Sequence, residues 1–411
     1  MSIYLLPYKN EIVEVYSSYI DSHKVVKPNI WTDRDIDLSE NSDLENVVVA
    51  IWDSGVDTDL FNENLYTNPN EKFEGKDTDG NGFIDDVHGI AYNMESEKTS
   101  GSLFPLTEEQ KAAIPNMTQM MKGIIDLQAN IDSKEASILK KQLSQIEPDQ
   151  VKPFLEELGL FGNYAHGTHV AGIAAKGNPG ARIMHGRITF DYRMIPQCPT
   201  IELAKASAKS SQETIDYYRK NGVKIVNMSF GGNPQGIESA LELNGKGENA
   251  EERKKMAREI FDIEKEGFYN AIKNAPEILF IAAAGNSDED SEFYEAIPSS
   301  FDLPNILTVG AVDQAGEETG FTSFGDNVDV HANGFEVESY IPGGTIMKMS
   351  GTSMASPNAA NLAAKLMAMN SELTVEETID LILKGCDTSE DGRIILINPK
   401  KSIELLQKMN P

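Results

Sequence analysis

Cysteine is nearly missing from this chain: Cys198 and Cys386 are the only two among 411 residues and lie far apart. A dense disulfide framework is excluded, and both are expected as buried free thiols. Positive charge is scarce too. Lys and Arg number 36 against 65 Asp and Glu, a formal net charge of −29. Neutralising nucleic-acid phosphates takes clustered cations that this chain lacks, so a nucleic-acid partner is excluded. An acidic surface serves solubility, cation binding or a mild preference for basic substrates. Long apolar runs are absent as well, with no window near the roughly 18 residues of a membrane span. The opening Met1-Ser2-Ile3-Tyr4-Leu5-Leu6 lacks the basic start, long apolar centre and small-residue cleavage site of a secretion signal. A soluble chain is expected, cytoplasmic if complete as given.

What is present is an ordinary globular composition, 40% hydrophobic and 25% charged, able to bury a large core. Residues 47–52 form a continuous apolar, β-branched run ending in Asp53-Ser54-Gly55, the pattern of a central parallel strand feeding a loop. Runs at 182–188, 224–228, 278–283 and 306–312 look alike, and helical stretches at 201–218 and 251–272 lie between them. The alternation predicts an α/β fold: a doubly wound, mostly parallel sheet with helices on both faces and its chemistry at the strands' carboxyl ends.

The expected organisation is an N-terminal extension over 1–45 and one α/β domain over 46–411. Two segments interrupt its rhythm: an Asp-rich loop at 70–93 and a helical insertion at 105–160. In the insertion Thr107 and Gln110 form a capping box, and Ile114, Met117, Met121 and Ile124 keep helical spacing. Pro148 then opens a short helix carrying Val151, Phe154, Leu155 and Leu158, which Gly159 is expected to stop. Further helices are read at 353–370, 374–384 and 400–409.

A serine hydroxyl becomes a nucleophile when an imidazole takes its proton and a carboxylate holds that imidazole in one tautomer. Asp53 ends the first strand, so its carboxylate projects from a rigid edge; taken alone, Asp-Ser-Gly is also an ordinary turn. His166 opens His166-Gly167-Thr168-His169, whose small residues suit a helix start packed closely on a sheet. A metal pair of His166 with His169 is the competing reading, although the Glu of zinc-protease motifs is missing; His169 is read as a packing residue. Ser353 stands in Gly351-Thr352-Ser353-Met354-Ala355-Ser356-Pro357, where Pro357 fixes a helix start nearby. Free N–H groups meet there, though a serine at such a place is commonly an N-cap. Asn286 ends Ala282-Ala283-Ala284-Gly285-Asn286, either a turn former or an amide donor to an oxyanion.

These four segments, in this order, resemble the subtilisin-like serine proteases. The resemblance runs over 47–57 and from 162 to about 368, and leaves the insertion uncovered. It implies that Ser353 attacks the scissile carbonyl, His166 acts as base and then acid, and Asp53 orients the imidazole. It also implies an oxyanion hole from Asn286 and the Ser353 N–H. Asn227-Met228-Ser229-Phe230-Gly231 is similar to the family's substrate strand, in which Ser229, Phe230 and Gly231 pair with an extended polypeptide. A propeptide or protein inhibitor is a further partner implied by the family, as is a secreted or periplasmic location after leader removal. The implied activity is endoproteolysis through an acyl-enzyme. Transpeptidation or peptide cyclisation is the alternative if the insertion shields that intermediate from water. A catalytically silent binding module and a zinc hydrolase using His166 and His169 complete the range of readings.

The stretch 77–86 alternates oxygen side chains, with Gly82 at the sixth position and Ile84 at the eighth, as in a calcium loop. Candidate ligands are Asp77, Asp79, Asn81, Asp85 and Asp86. His88 stands where an EF-hand has its bidentate Glu, so the competing reading is a solvated Asp-rich turn. No organic cofactor is implied.

Overall fold

The computed structural model describes residues 6–23 and 25–409, so most of the opening segment read above for a secretion signal lies outside the described residues. The apolar run at 47–52 becomes β1 (Val47–Asp53), which has parallel partners on both sides. In chain order there follow β2 (Gly89–Tyr92), β3 (Lys98–Thr99), β4 (Ala181–Ile188), β5 (Val223–Met228), β6 (Leu279–Ala283), β7 (Ile306–Val312) and β8 (Val330–Asn333). The hairpin β9 (Val337–Tyr340) and β10 (Ile346–Met349) stands apart, and β11 (Asp387–Thr388) and β12 (Ile395–Leu396) close one edge. Among the described residues the sheet has ten strands, in the order β11-β12-β8-β7-β6-β5-β1-β4-β2-β3.

The strand pleat sends alternate residues to opposite faces. Val49 and Ile51 enter one apolar core with Ile225, Ile281 and Val309. Ala50 and Trp52 enter a second with Val226 and Phe280. Both faces are therefore apolar, and helices cover each. They are α1 (Lys9–Ser22), α2 (Glu108–Gln128), α3 (Lys134–Leu143), α4 (Pro148–Ala175), α5 (Ile201–Lys220), α6 (Pro234–Leu243), α7 (Ala250–Lys273), α8 (Thr352–Met369), α9 (Val375–Gly385) and α10 (Pro399–Met409). Helices α4 and α8 pack on the first face, and α5 and α7 on the second. The doubly wound α/β architecture is as expected.

The capping box of α2 forms as read: the Thr107 hydroxyl accepts from the Gln110 N–H at 3.2 Å, and Gln110 Oε1 accepts from the Thr107 N–H at 2.8 Å. Pro148 opens α4 as read, but Gly159 does not end it; the helix runs 28 residues to Ala175. One interior glycine costs only about 1 kcal/mol. Phe154, Leu158, Phe161 and Ala165 keep one face buried across it, and that packing decides the outcome. His166 consequently lies deep inside a helix rather than at its start. Helix α1, which the apolar patterning did not signal, has no buried side chain among its residues. Cys198 and Cys386 are both free, and only partly buried where full burial was expected.

Candidate active site

The carboxyl ends of β1, β5 and β6 meet α4 and the first turn of α8 at one edge of the sheet. Asp53 closes β1 and is fully buried. Its Oδ1 accepts from the Ser54 N–H at 2.6 Å and lies 2.7 Å from His166 Nδ1. This closeness requires glycine after the histidine. A Cβ on Gly167 would stand 2.2 Å from the Gly55 carbonyl oxygen and 3.1 Å from Asp53 Oδ1. The bare Gly167 backbone instead donates its N–H to Ser54 Oγ at 3.1 Å. Burial disfavours a charged His166 ring, but the Asp53 carboxylate outweighs it and holds the ring's pKa above the ordinary imidazole value.

Ser353 is the second residue of α8, so its N–H has no helical carbonyl to meet and stays available. Gly351, just before the helix, has φ of +154°, and a Cβ there would come 3.3 Å from Asn286 Nδ2. Pro357 sits in the second turn of α8, one turn later than the sequence suggested. Lacking an N–H, it leaves the Ser353 carbonyl without its helical donor. The Ser229 hydroxyl supplies the missing bond at 3.0 Å, which ties the Ser353 backbone to the residue that follows β5. The Ser353 hydroxyl itself donates to the Ser229 carbonyl oxygen at 3.3 Å. Ser353 and His166 line one cavity of about 540 Å³.

Asn286 lies just past β6. Its Oδ1 accepts from the Thr352 N–H at 2.8 Å and from the Thr352 hydroxyl at 3.0 Å. That hydroxyl receives the Gly285 N–H at 3.1 Å. With its oxygen fixed, Asn286 presents Nδ2 as the free donor beside Ser353. Sequence reasoning passed over Thr352 as one more small residue. Its signal was the hydroxyl adjoining the serine at a helix start.

His169 faces away from this edge. It is fully buried, its Nε2 donates to the Met347 carbonyl oxygen at 2.9 Å, and burial lowers its pKa to about 4. That bond fits the packing role and removes His169 from a shared metal site with His166.

Ser229, Phe230 and Gly231 border a cavity of about 410 Å³ whose other wall is formed by Ala283 to Asn286. Glu289 and Asp290 also line it. The larger cavity beside His166 is walled by the insertion: Met121, Ile124 and Ile125 from α2, Leu155 and Leu158 from α4.

The Asp-rich loop brings together a different set of carboxylates from the one its spacing suggested. Glu71, Asp79 and Asp86 place oxygens within 4.8 Å of one another. Asp77 turns inward to accept from the N–H groups of Gly80, Asn81 and Gly82, and Asp85 accepts from those of Glu74 and Gly75. Asn81 spends its side-chain oxygen on the Phe83 N–H and donates its amide to Asp86. Glu71 precedes the Asp-rich run and was missed. Burial pushes Asp86 upward, with Asp79 and Glu71 adding to the rise. Asp86 Oδ1 is buried without a hydrogen-bond partner. Three hard oxygen donors, one of them orphaned, form a cluster that could bind a cation.

A family model described as the subtilase family matches residues 45–394. Among curated proteins, the cell wall-associated protease of Bacillus subtilis (strain 168) is 31% identical over 54% of this chain and 21% of its own length. The thermophilic serine proteinase of Bacillus sp. (strain AK1) is 30% identical over 56% of this chain and 50% of its own. The chain thus spans half or less of these two relatives. The crystal structure of a lanthipeptide protease superposes over 91% of both chains with a TM-score of 0.53 at 14% identity, a likeness of fold alone. No described helix is long and apolar enough to cross a membrane.

Proposed function

The chain belongs to the subtilase family, and we propose that it is a serine endopeptidase with Asp53, His166 and Ser353 as its triad. The observation that carries this reading is the 2.7 Å contact between His166 Nδ1 and buried Asp53, in the cleft that also holds Ser353. Asp53 fixes the ring so that Nε2 is the basic nitrogen. The Ser353 hydroxyl turns from the Ser229 carbonyl to His166, gives up its proton and attacks the scissile carbonyl carbon. The oxyanion is met by Asn286 Nδ2 and the Ser353 N–H. His166 then returns the proton to the leaving amine as the C–N bond breaks, and a water, deprotonated by the same ring, hydrolyses the ester. The substrate is a polypeptide lying extended along Ser229 to Gly231. A fluorophosphonate should label wild-type protein at Ser353 and fail on Ser353→Ala. An unlabelled wild type would favour the silent binding module.

Peptide transfer is a second reading, supported by the apolar wall that α2 and α4 raise over His166 and Ser353. Mass spectrometry of products separates the two, since transfer yields a new or cyclic peptide bond in place of a free carboxylate. In the Asp-rich loop, Glu71, Asp79 and Asp86 would hold calcium, whose charge would offset three clustered carboxylates. A chelator should then lower the melting temperature of wild type, by the equivalent of about 2–3 kcal/mol when calcium had been near a hundredfold above its Kd. It should leave the melting temperature of Glu71→Gln/Asp86→Asn unchanged.

A further inference from the structure

A third cavity, of about 240 Å³, lies along the same strand beyond the one that takes the residue at the scissile bond. Phe230, Gly231 and Gly232 border it, so it adjoins the backbone on which the extended substrate is placed. Phe190 and Phe268 flank Phe230: the Phe230 and Phe268 rings stack at 6.2 Å and 11°, and the Phe190 ring is 5.9 Å from that of Phe230. Ser207 and Ser211 of α5 line it with hydroxyls, and Glu264 of α7 contributes a carboxylate.

Glu264 differs from Asp290 of the first cavity. Asp290 accepts from the N–H groups of Glu292 and Phe293, so its carboxylate is already engaged. Glu264 makes no hydrogen bond or ion pair with any described residue, and no Lys or Arg lines its cavity. The neighbouring Lys265 is taken up by Glu295 at 3.2 Å. Burial, with no opposing cause, raises the Glu264 carboxyl above its usual range. A half-buried carboxylate without a partner is costly in the free protein, and a cation brought by a ligand would relieve that cost. Aromatic faces suit the same cation and its aliphatic stem. The net charge of −29 would draw basic peptides toward the cleft.

We propose that this cavity is a specificity pocket for a basic side chain, Lys or Arg, carried a few residues before the scissile bond, with Glu264 as its counter-ion. The inference rests on the endopeptidase reading for its register, and its test is arranged to stand apart from catalysis. Fluorogenic peptide libraries, fixed at one upstream position at a time as Arg, Lys, norleucine or Glu, should reveal one position where Arg or Lys is favoured over norleucine. The expected preference in kcat/KM is about 10- to 100-fold, the worth of a charge-assisted contact. Glu264→Gln should bring that ratio to near unity, and Glu264→Lys should invert it toward Glu, which a merely structural role would not do. Thermal melting of each variant establishes that it is folded.

For the same question without turnover, Ser353→Ala is titrated with a fluorescent peptide pair differing only by Arg or norleucine at that position. Selective binding of the Arg peptide, lost in Ser353→Ala/Glu264→Gln, would uphold the pocket even if wild type cleaved nothing. Equal binding of the two peptides, a norleucine preference, or an Arg preference that survives Glu264→Gln would each overturn it, whatever the protein's catalytic activity.

Discussion

The two halves of α4 are made differently although one helix carries both. The first, from Pro148 to about Gly162, is amphipathic: Phe154, Leu158 and Phe161 are buried, while Pro148, Lys152 and Pro153 are exposed. The second, from Asn163 to Ala175, is rich in small residues and buried on nearly every side: Gly167 and Thr168 are buried, and Ala165, Val170 and Ala171 join the apolar core shared with the sheet and α8. Length of side chain tracks distance between backbones. The insertion can hold its helix off with Phe and Leu, whereas the His166 end brings a ring against the rim of β1. The lesson is that one rigid element can serve packing at one end and positioning at the other.

That contrast can be tested from its largest consequence downward. His166→Ala should lower kcat/KM by about 10²–10⁴-fold or more, the share of a general acid–base, with little change in melting temperature. Gly167→Ala, which touches no substrate, should still cost about 10²-fold, because a Cβ 2.2 Å from the Gly55 oxygen must push α4 away from Asp53. Phe154→Ala in the other half should behave in the opposite way. A stability loss of about 3–5 kcal/mol in chemical denaturation should accompany a change in kcat/KM of less than about tenfold. A Phe154→Ala variant that keeps its stability and loses its rate would break the division between the halves. The smallest effect is on pH. His166 must be neutral to act as base, and Asp53 holds its pKa above the usual value. The rise of kcat/KM with pH should therefore have its midpoint above about 6.5, and move downward in Asp53→Asn.

The strands of the body were readable nearly to the residue, because burial on both faces leaves an unbroken apolar signature in the local sequence. The candidate site positions stood out for a different reason: Asp53, Asn286 and Ser353 stand where an apolar run or small-residue run meets a turn. Failures arose where the deciding contact is one that local patterning does not encode, whether near or far in the chain. Gly159 looks like a stop signal locally, and only the burial of Phe154, Leu158 and Phe161 carries the helix past it. The Asp-rich loop offers several carboxylates, and backbone amides claim Asp77 and Asp85 while Glu71 folds in from outside the run. Glu264 was invisible, because Glu264-Lys265-Glu266 reads as a solvated helix face until Lys265 is seen to be paired elsewhere. Thr352 was silent because its value lies in orienting Asn286, a residue distant in sequence.

The unbroken course of α4 from the insertion to His166 sets a ruler for how this protein can change. Each residue added to or removed from the helix between Gly159 and Asn163 would swing everything upstream by about 100° around the axis relative to the imidazole. The apolar face of Phe154 and Leu158 would turn into solvent, or the ring would leave Asp53. Length variation in related chains should therefore collect in the connections before Pro148, and the stretch from Pro148 to His166 should keep a constant count even where its side chains drift.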